Sequence, residues 1–154
     1  MYRNPKVKRC RPEKAESISQ VAILSKVYWG YTDEQMEMFA EELTFTPVMI
    51  ERRHTQVLEI YSAFAGFYTL LAQDDGFIEL KHLFILPTQL RKGFGKPLLE
   101  YARDAAKDLL RTRMVIQCDP NAEGFYARLG ARLVEYIPSG IPRRRIPLFE
   151  VVLG

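Results

Sequence analysis

Residues 83–102 read LFILPTQLRKGFGKPLLEYA, and this passage limits the fold more than any other in the chain. Leu83 to Leu86 form an apolar run that stops at a proline, as the end of a buried strand does. Leu98, Ala102, Ala105 and Leu109 then recur at helical spacing, which predicts a helix over residues 95–111. Between the two lie Gly93 and Gly95, flanked by Arg91, Lys92 and Lys96. Glycine lets ligand atoms approach the backbone and tolerates unusual dihedrals. The first N–H groups of the helix have no intrahelical partner, and the dipole and the cations add positive potential there. Such a helix start suits a phosphate. A solvated turn is the plainer alternative, because a lone G-x-G does not decide the matter. Neither the P-loop pattern G-x-x-x-x-G-K-[ST] nor the dinucleotide fingerprint G-x-G-x-x-G is present, since Lys96, Pro97 and Leu98 follow Gly95.

The rest of the chain places that passage in an α/β pattern. A short strand near Val7 to Arg11 precedes a helix over residues 13–27, with Ile18, Val21, Ala22, Leu24 and Ser25 on one side. Tyr28, Trp29 and Tyr31 form an aromatic cluster around Gly30. Thr32 then caps a second helix that runs to Leu43 or Thr44, with Gln35 at capping-box spacing and Met36, Phe39, Ala40 and Leu43 on one face. Residues 55–61, 63–72 and 76–86 read as strands, with a turn signal at Asp74-Asp75-Gly76. After the long helix come a strand over 113–118, a short helix over 121–129 stopped by Gly130, and strands over 131–137 and 145–153. The expected architecture is a single domain over 1–154. It is an α/β fold with one mixed, mostly antiparallel sheet and helices on both faces.

Composition excludes several classes. The chain has 154 residues, 22 Lys+Arg against 19 Asp+Glu, and a net charge of +3. That balance is too mild for a nucleic-acid partner, and no nucleic-acid signature accompanies it. Cys10 and Cys118 make no C-x-x-C and have only His54 and His82 for company, so no metal site is expected. No signal-type apolar segment or membrane span is readable, which points to a cytoplasmic protein without a membrane partner.

Two segments resemble one family. LRKGFG (Leu90 to Gly95), after a strand and a proline, resembles the R/Q-x-x-G-x-G/A loop of the GNAT family of acetyl-CoA-dependent N-acetyltransferases. DPNAEGFYARLGA (Asp119 to Ala131) resembles that family's next motif, an asparagine and a Phe-Tyr pair before a helix-ending glycine. SKVYWGYTDEQM and PSGIPRRRIPL resemble a branch of small GNAT proteins. Two positions depart from the pattern. Leu90 stands where the family has Arg or Gln, with Arg91 next to it, and Asn121 lies closer to Phe125-Tyr126 than usual.

The resemblance implies a function and a site. Its co-substrate is acetyl-CoA, and the central strands splay. The pyrophosphate is held by Arg91, Lys92, Gly93, Phe94, Gly95 and Lys96, and the pantetheine by the backbone of Leu83, Phe84 and Ile85, with Asn121 and Tyr126 also on the cofactor. The acceptor is a small-molecule or peptide amine, and the sequence leaves a homodimer open. An attacking amine must lose a proton, the oxyanion needs fixed donors, and the departing thiolate favours an acid. Tyr126 is the acid candidate; its alternative is a core tyrosine with a satisfied hydroxyl. Glu79 is the base candidate, and an ion pair with Lys81 on the same strand face is its alternative. His82 faces the other way and is a weaker base candidate. Tyr28, Trp29 and Tyr31 are acceptor-wall candidates with Glu34 as an amine attractor, against plain packing between helices. Arg143-Arg144-Arg145 reads first as a solvated hairpin tip and second as a site for an acidic group. A non-catalytic acyl-CoA-binding sensor on the same fold is the competing function.

Overall fold

The computed structural model describes residues 5–73 and 75–154. Seven strands form one sheet in the order β1-β2-β3-β4-β5-β7-β6. They are β1 Pro5–Arg9, β2 His54–Ile60, β3 Ala63–Ala72, β4 Phe77–Ile85, β5 Arg113–Gln117, β6 Arg132–Pro138 and β7 Arg145–Val152. The helices are α1 Ala15–Val27, α2 Asp33–Leu43, α3 Pro47–Arg52, α4 Gly95–Asp108 and α5 Glu123–Arg128. The sheet is mixed: β1–β2, β5–β7 and β6–β7 run antiparallel, and β4–β5 is parallel. That is the expected α/β class.

The chain gathers into two compact units. One holds the chain through Thr69 together with His82–Tyr101; the other holds Leu70–Lys81 and Ala102–Gly154. In the first, α1 buries Ile18, Val21, Ala22 and Ser25, but Leu24 of the expected stripe is 53% exposed. The Thr32 capping box forms as its spacing predicts: Gln35 N donates to Thr32 Oγ1 at 3.2 Å and Thr32 N to Gln35 Oε1 at 2.9 Å. Phe39 and Leu43 of α2 are buried whereas Ala40 is exposed. Helix α3 is an element that hydrophobic periodicity does not announce. Its start is nevertheless written locally: Thr46 accepts from Met49 N at 3.2 Å, and Pro47 occupies the first turn, where its missing N–H costs nothing.

The β2–β3 connection is a two-residue turn, Tyr61-Ser62, with φ of 51° and 66°. Strand β2 therefore ends at Ile60 rather than at Tyr61. Left-handed Tyr and Ser are uncommon, so the turn lacks the Gly or Asn that normally advertises it. Between β3 and β4, Asp75 and Gly76 are left-handed (φ 61° and 81°), as the turn signal implies; Asp74 lies outside the described residues.

Along the β3–β4 pair the facing residues change parity. Near the turn, Gln73 N donates to Phe77 O at 3.0 Å, and the side chains of Gln73 and Glu79 meet on one face. Farther along, Thr69 meets His82, and Leu86 N donates to Ala65 O at 2.8 Å. Odd residues face odd ones at one end and even ones at the other. One strand therefore carries an extra residue, the signature of a β-bulge.

Of the stripe expected on α4, Leu98 and Ala102 are buried, whereas farther along Ala106 is buried in place of Ala105 and Leu109 is 45% exposed. Gly130 ends α5 with a φ of 88°, as a helix-stop glycine does. Strand β6 is the last in the sheet and exposes Leu133, Val134 and Tyr136, with a register shift between Leu133 and Glu135.

Candidate functional site

The glycine loop belongs to the first unit. After Ile85, a 3₁₀ turn at Pro87–Gln89 brings the chain to Leu90, which is extended, and to Arg91 and Gly93, which are left-handed at φ 62° and 83°. Helix α4 starts at Gly95, and Leu98 N donates to Phe94 O at 3.1 Å. Gly95 and Lys96 stand in the first turn, so their N–H groups lack intrahelical acceptors, and Pro97 has no N–H to satisfy. Arg91, Lys92, Gly93 and Lys96 are exposed. No atom lies within 4 Å of where a Cβ on Gly93 would stand. The loop thus presents open backbone, three cations and the positive end of a helix, which suits a pyrophosphate.

The end of β4 is held in two ways that sequence patterns do not disclose. A Cβ on Gly66 would sit 2.5 Å from Phe84 O, so β3 must have glycine there for the strands to approach. Phe84 O therefore turns toward β3. Because backbone groups alternate along a strand, Leu83 and Ile85 turn theirs the other way. Ser25 Oγ, buried on α1, lies 2.7 Å from Val21 O and 3.2 Å from Ile85 O, tying that helix to the strand end. Of the three residues expected to offer backbone, Leu83 keeps both groups turned from β3, and Ile85 has its carbonyl engaged by Ser25. A mid-helix serine among apolar neighbours was the available signal for the second grip.

His82 is 3% exposed and packs against Phe45 with ring centroids 4.9 Å apart. Its Nε2 lies 3.2 Å from Glu42 O, which can only accept, so in the neutral ring Nε2 carries the proton. Nδ1 then accepts from Thr69 Oγ1 at 2.7 Å. The ring ties β4 to the last turn of α2, and both nitrogens are committed. The aromatic cluster divides. Tyr28 and Trp29 are 45% and 42% exposed and meet edge to face at 5.0 Å. Tyr31 packs on Phe39 at 4.9 Å, and the buried Lys26 ammonium lies 4.4 Å from the Phe39 ring centre. Glu34 is exposed at the start of α2.

In the second unit, Glu79 is half-buried on β4. Its Oε2 lies 3.6 Å from Lys81 Nζ, and its Oε1 accepts from Gln73 Nε2 at 3.2 Å. The β4–β5 ladder ends at Glu79↔Val115, while β4 runs on to Ile85 and β5 to Gln117. Tyr126 is buried on α5, 5.9 Å from the Phe149 ring. Burial pushes its phenol well above the ordinary tyrosine range, with a smaller contribution from Cys118. The hydroxyl therefore keeps its proton across the physiological range.

Asn121 is exposed, and its N and Nδ2 both donate to Asp119 Oδ1 at 2.8 Å. The arginine triplet is not one tip: Arg143 and Arg145 are exposed, while Arg144 pairs with Asp119 at 3.4 Å. Among the described residues no group of three His, Cys, Asp or Glu side chains gathers for a metal, and no helix is long and apolar enough to cross a membrane.

A glycine loop that opens a long helix at a strand end is a phosphate-binding arrangement. The model of the acetyltransferase (GNAT) domain matches residues 27–136, and the chain belongs to that family. Among solved structures it is similar to the PaiA N-acetyltransferase of Thermoplasma acidophilum in complex with coenzyme A. That match has 19% identity, a TM-score of 0.82, and coverage of 97% of this chain and 99% of the other. It is also similar to the ribosomal-protein-S18-alanine N-acetyltransferase of Escherichia coli (15% identity, TM-score 0.73, 97% and 94% covered). A third similar structure is YncA of Salmonella typhimurium with its cofactor acetyl-CoA (14%, 0.72, 98% and 95%). No curated protein matches the chain.

Proposed function

We propose that this chain is an acetyl-CoA-dependent N-acetyltransferase that moves the acetyl group to a primary amine of a small molecule or peptide by direct attack on the thioester. The family match carries the reading, because residues 27–136 span the end of β4, the Gly93 loop and Tyr126. The N–H groups of Gly93, Phe94 and Gly95 receive the pyrophosphate, and Arg91, Lys92 and Lys96 supply charge. Leu83 and Ile85 pair with the pantetheine as with an added strand. Phe84 contributes its side chain rather than its carbonyl, and Asn121 offers Oδ1 while Nδ2 stays on Asp119.

In the reaction the amine nitrogen bonds to the thioester carbon and the carbon–sulfur bond breaks. Glu79 takes the amine proton, since the committed nitrogens of His82 leave that ring poorly suited. Tyr126 faces the leaving sulfur as a hydrogen-bond donor. Complete transfer of its proton would be uphill, because a thiol has a pKa of about 8.5 and a tyrosine of about 10 even before burial. Its raised pKa thus favours stabilising the thiolate over protonating it. Tyr28 and Trp29 line the acceptor approach, with Tyr31 behind them. Cys10 and Cys118, both buried, fit reduced side chains in a reducing compartment such as the cytoplasm.

The test is thiol release from acetyl-CoA with a panel of acceptors: polyamine, amino acid, aminoglycoside and peptide N-terminus. Turnover with one class is expected; tight acetyl-CoA binding without turnover on any amine would favour the sensor function. Glu79→Gln should then lower turnover most at low pH and recover as pH rises and free amine forms unaided. A flat wild-type profile would remove Glu79 as the base.

A further inference from the structure

The hairpin between β6 and β7 carries three consecutive arginines that behave differently. The Arg145 guanidinium lies 4.6 Å from the Tyr136 ring centre, and Arg143 is exposed. The Arg144 side chain is 12% exposed, and its Nη2 lies 3.4 Å from Asp119 Oδ2, a carboxylate 10% exposed. Arg144 Nη1 donates to Ser139 Oγ at 3.0 Å. The hairpin backbone closes around it: Ser139 N donates to Arg144 O at 3.2 Å and Arg144 N to Ile141 O at 3.1 Å.

Asp119 opens the segment that carries Tyr126. Asp119 Oδ1 accepts from both N and Nδ2 of Asn121, and a 3₁₀ turn, Pro120–Ala122, leads into α5. Helix α5 has six residues, and Ala122 gives it no side-chain cap. A helix that short has no cooperative stability of its own, so its aim depends on what holds its ends. Cys118 N donates to Pro147 O at 3.1 Å, which fixes the residue before the segment to β7.

We propose that Arg144 is a positioning residue for Tyr126: by its charge on Asp119 it sets the start of α5 and so the line along which the tyrosine hydroxyl points. This rests on the reading of Tyr126 as the donor to the leaving sulfur. Arg144 touches no reacting atom and acts only through the segment it anchors.

A double-mutant cycle tests it, with acetyl-CoA and the fastest amine of the panel. Arg144→Met should lower kcat by about tenfold or more, since misplacement by about 1 Å can cost on the order of 10²-fold. The KM for acetyl-CoA should change by less than about twofold, and Arg144→Lys should restore much of the rate, since it keeps the charge. On a Tyr126→Phe background, Arg144→Met should add nothing further. Amide exchange over residues 120–128 should quicken in Arg144→Met with coenzyme A bound.

Multiplying defects, or an unchanged kcat in Arg144→Met, would overturn the positioning role and leave Tyr126 in place. A wild-type kcat for Tyr126→Phe alone would remove the tyrosine from the reaction, and this role with it. Should Arg144→Met fail to fold, Ser139→Ala, which removes the oxygen that holds Arg144 Nη1, carries the same cycle, with a smaller loss expected and the same two overturning results.

Discussion

Two loops in this protein open helices, and they are built on opposite plans. The loop into α4 is backbone: left-handed Arg91 and Gly93, helix-start N–H groups, and cations left in solvent. The loop into α5 is side chain: a mostly buried Asp119–Arg144 pair, with Asn121 folded onto the same carboxylate. The difference matches the tasks. A loop that receives a charged ligand must keep its donors available, and protein side chains that satisfied them would compete with the ligand. A loop that aims one side chain must have its own charges satisfied, because a loosely held carboxylate would let the helix swing.

The sharpest way to break the contrast is Gly93→Val. Nothing crowds the Cβ position, so the cost is conformational, about 1–2 kcal/mol for a side chain held left-handed, and more for a branched one. Relief of that strain would rebuild the loop. Acetyl-CoA affinity by calorimetry should fall by on the order of 100-fold, with the melting temperature lowered only slightly. Retained affinity would mean that the phosphates lie elsewhere.

Asp119→Ala should give the reverse pattern. Breaking a buried pair from one side costs about 3–5 kcal/mol, and the remaining exposure of Asp119 and Arg144 puts this one at or below the lower end of that range. Thermal melts should show a clear loss of stability while acetyl-CoA affinity drops far less than in Gly93→Val. Equal affinity losses in the two variants would erase the distinction between the loops. The smallest effect belongs to Lys92→Ala, a few-fold loss of acetyl-CoA affinity that should shrink as salt rises, because an exposed cation acts through a screened field. A salt-independent loss would assign Lys92 a fixed contact instead.

The plan of the α4 loop was legible in the sequence because it is local. Glycine, cations and helix spacing sit within one short stretch, and each acts on its neighbours. Capping at Thr32 and the stop at Gly130 were readable for the same reason. The α5 loop was not, since Asp119 and Arg144 are 25 residues apart in sequence, and nothing about an arginine in a run of three says which member folds inward. Gly66 and Ser25 were missed likewise: their importance lies in what a strand or a carbonyl far along the chain does beside them. The ion-pair alternative for Glu79 was visible as i, i+2 spacing, and Lys81 does lie beside it, whereas the contribution of Gln73 depends on how β3 meets β4.

Strand β6 has a consequence for how the protein keeps company with itself at high concentration. A terminal strand offers a row of backbone groups that any other extended chain can extend into a larger sheet, and apolar side chains make that joining more favourable. Leu133, Val134 and Tyr136 would invite it. Against them stand Arg132 and Glu135, whose charges a stacked neighbour would have to desolvate, and Pro138 at the strand's end, which has no N–H to offer. The irregularity between Leu133 and Glu135 also twists the edge out of the flat line that repeated stacking needs. Three residues and one irregularity on a seven-residue strand thus oppose edge-to-edge joining.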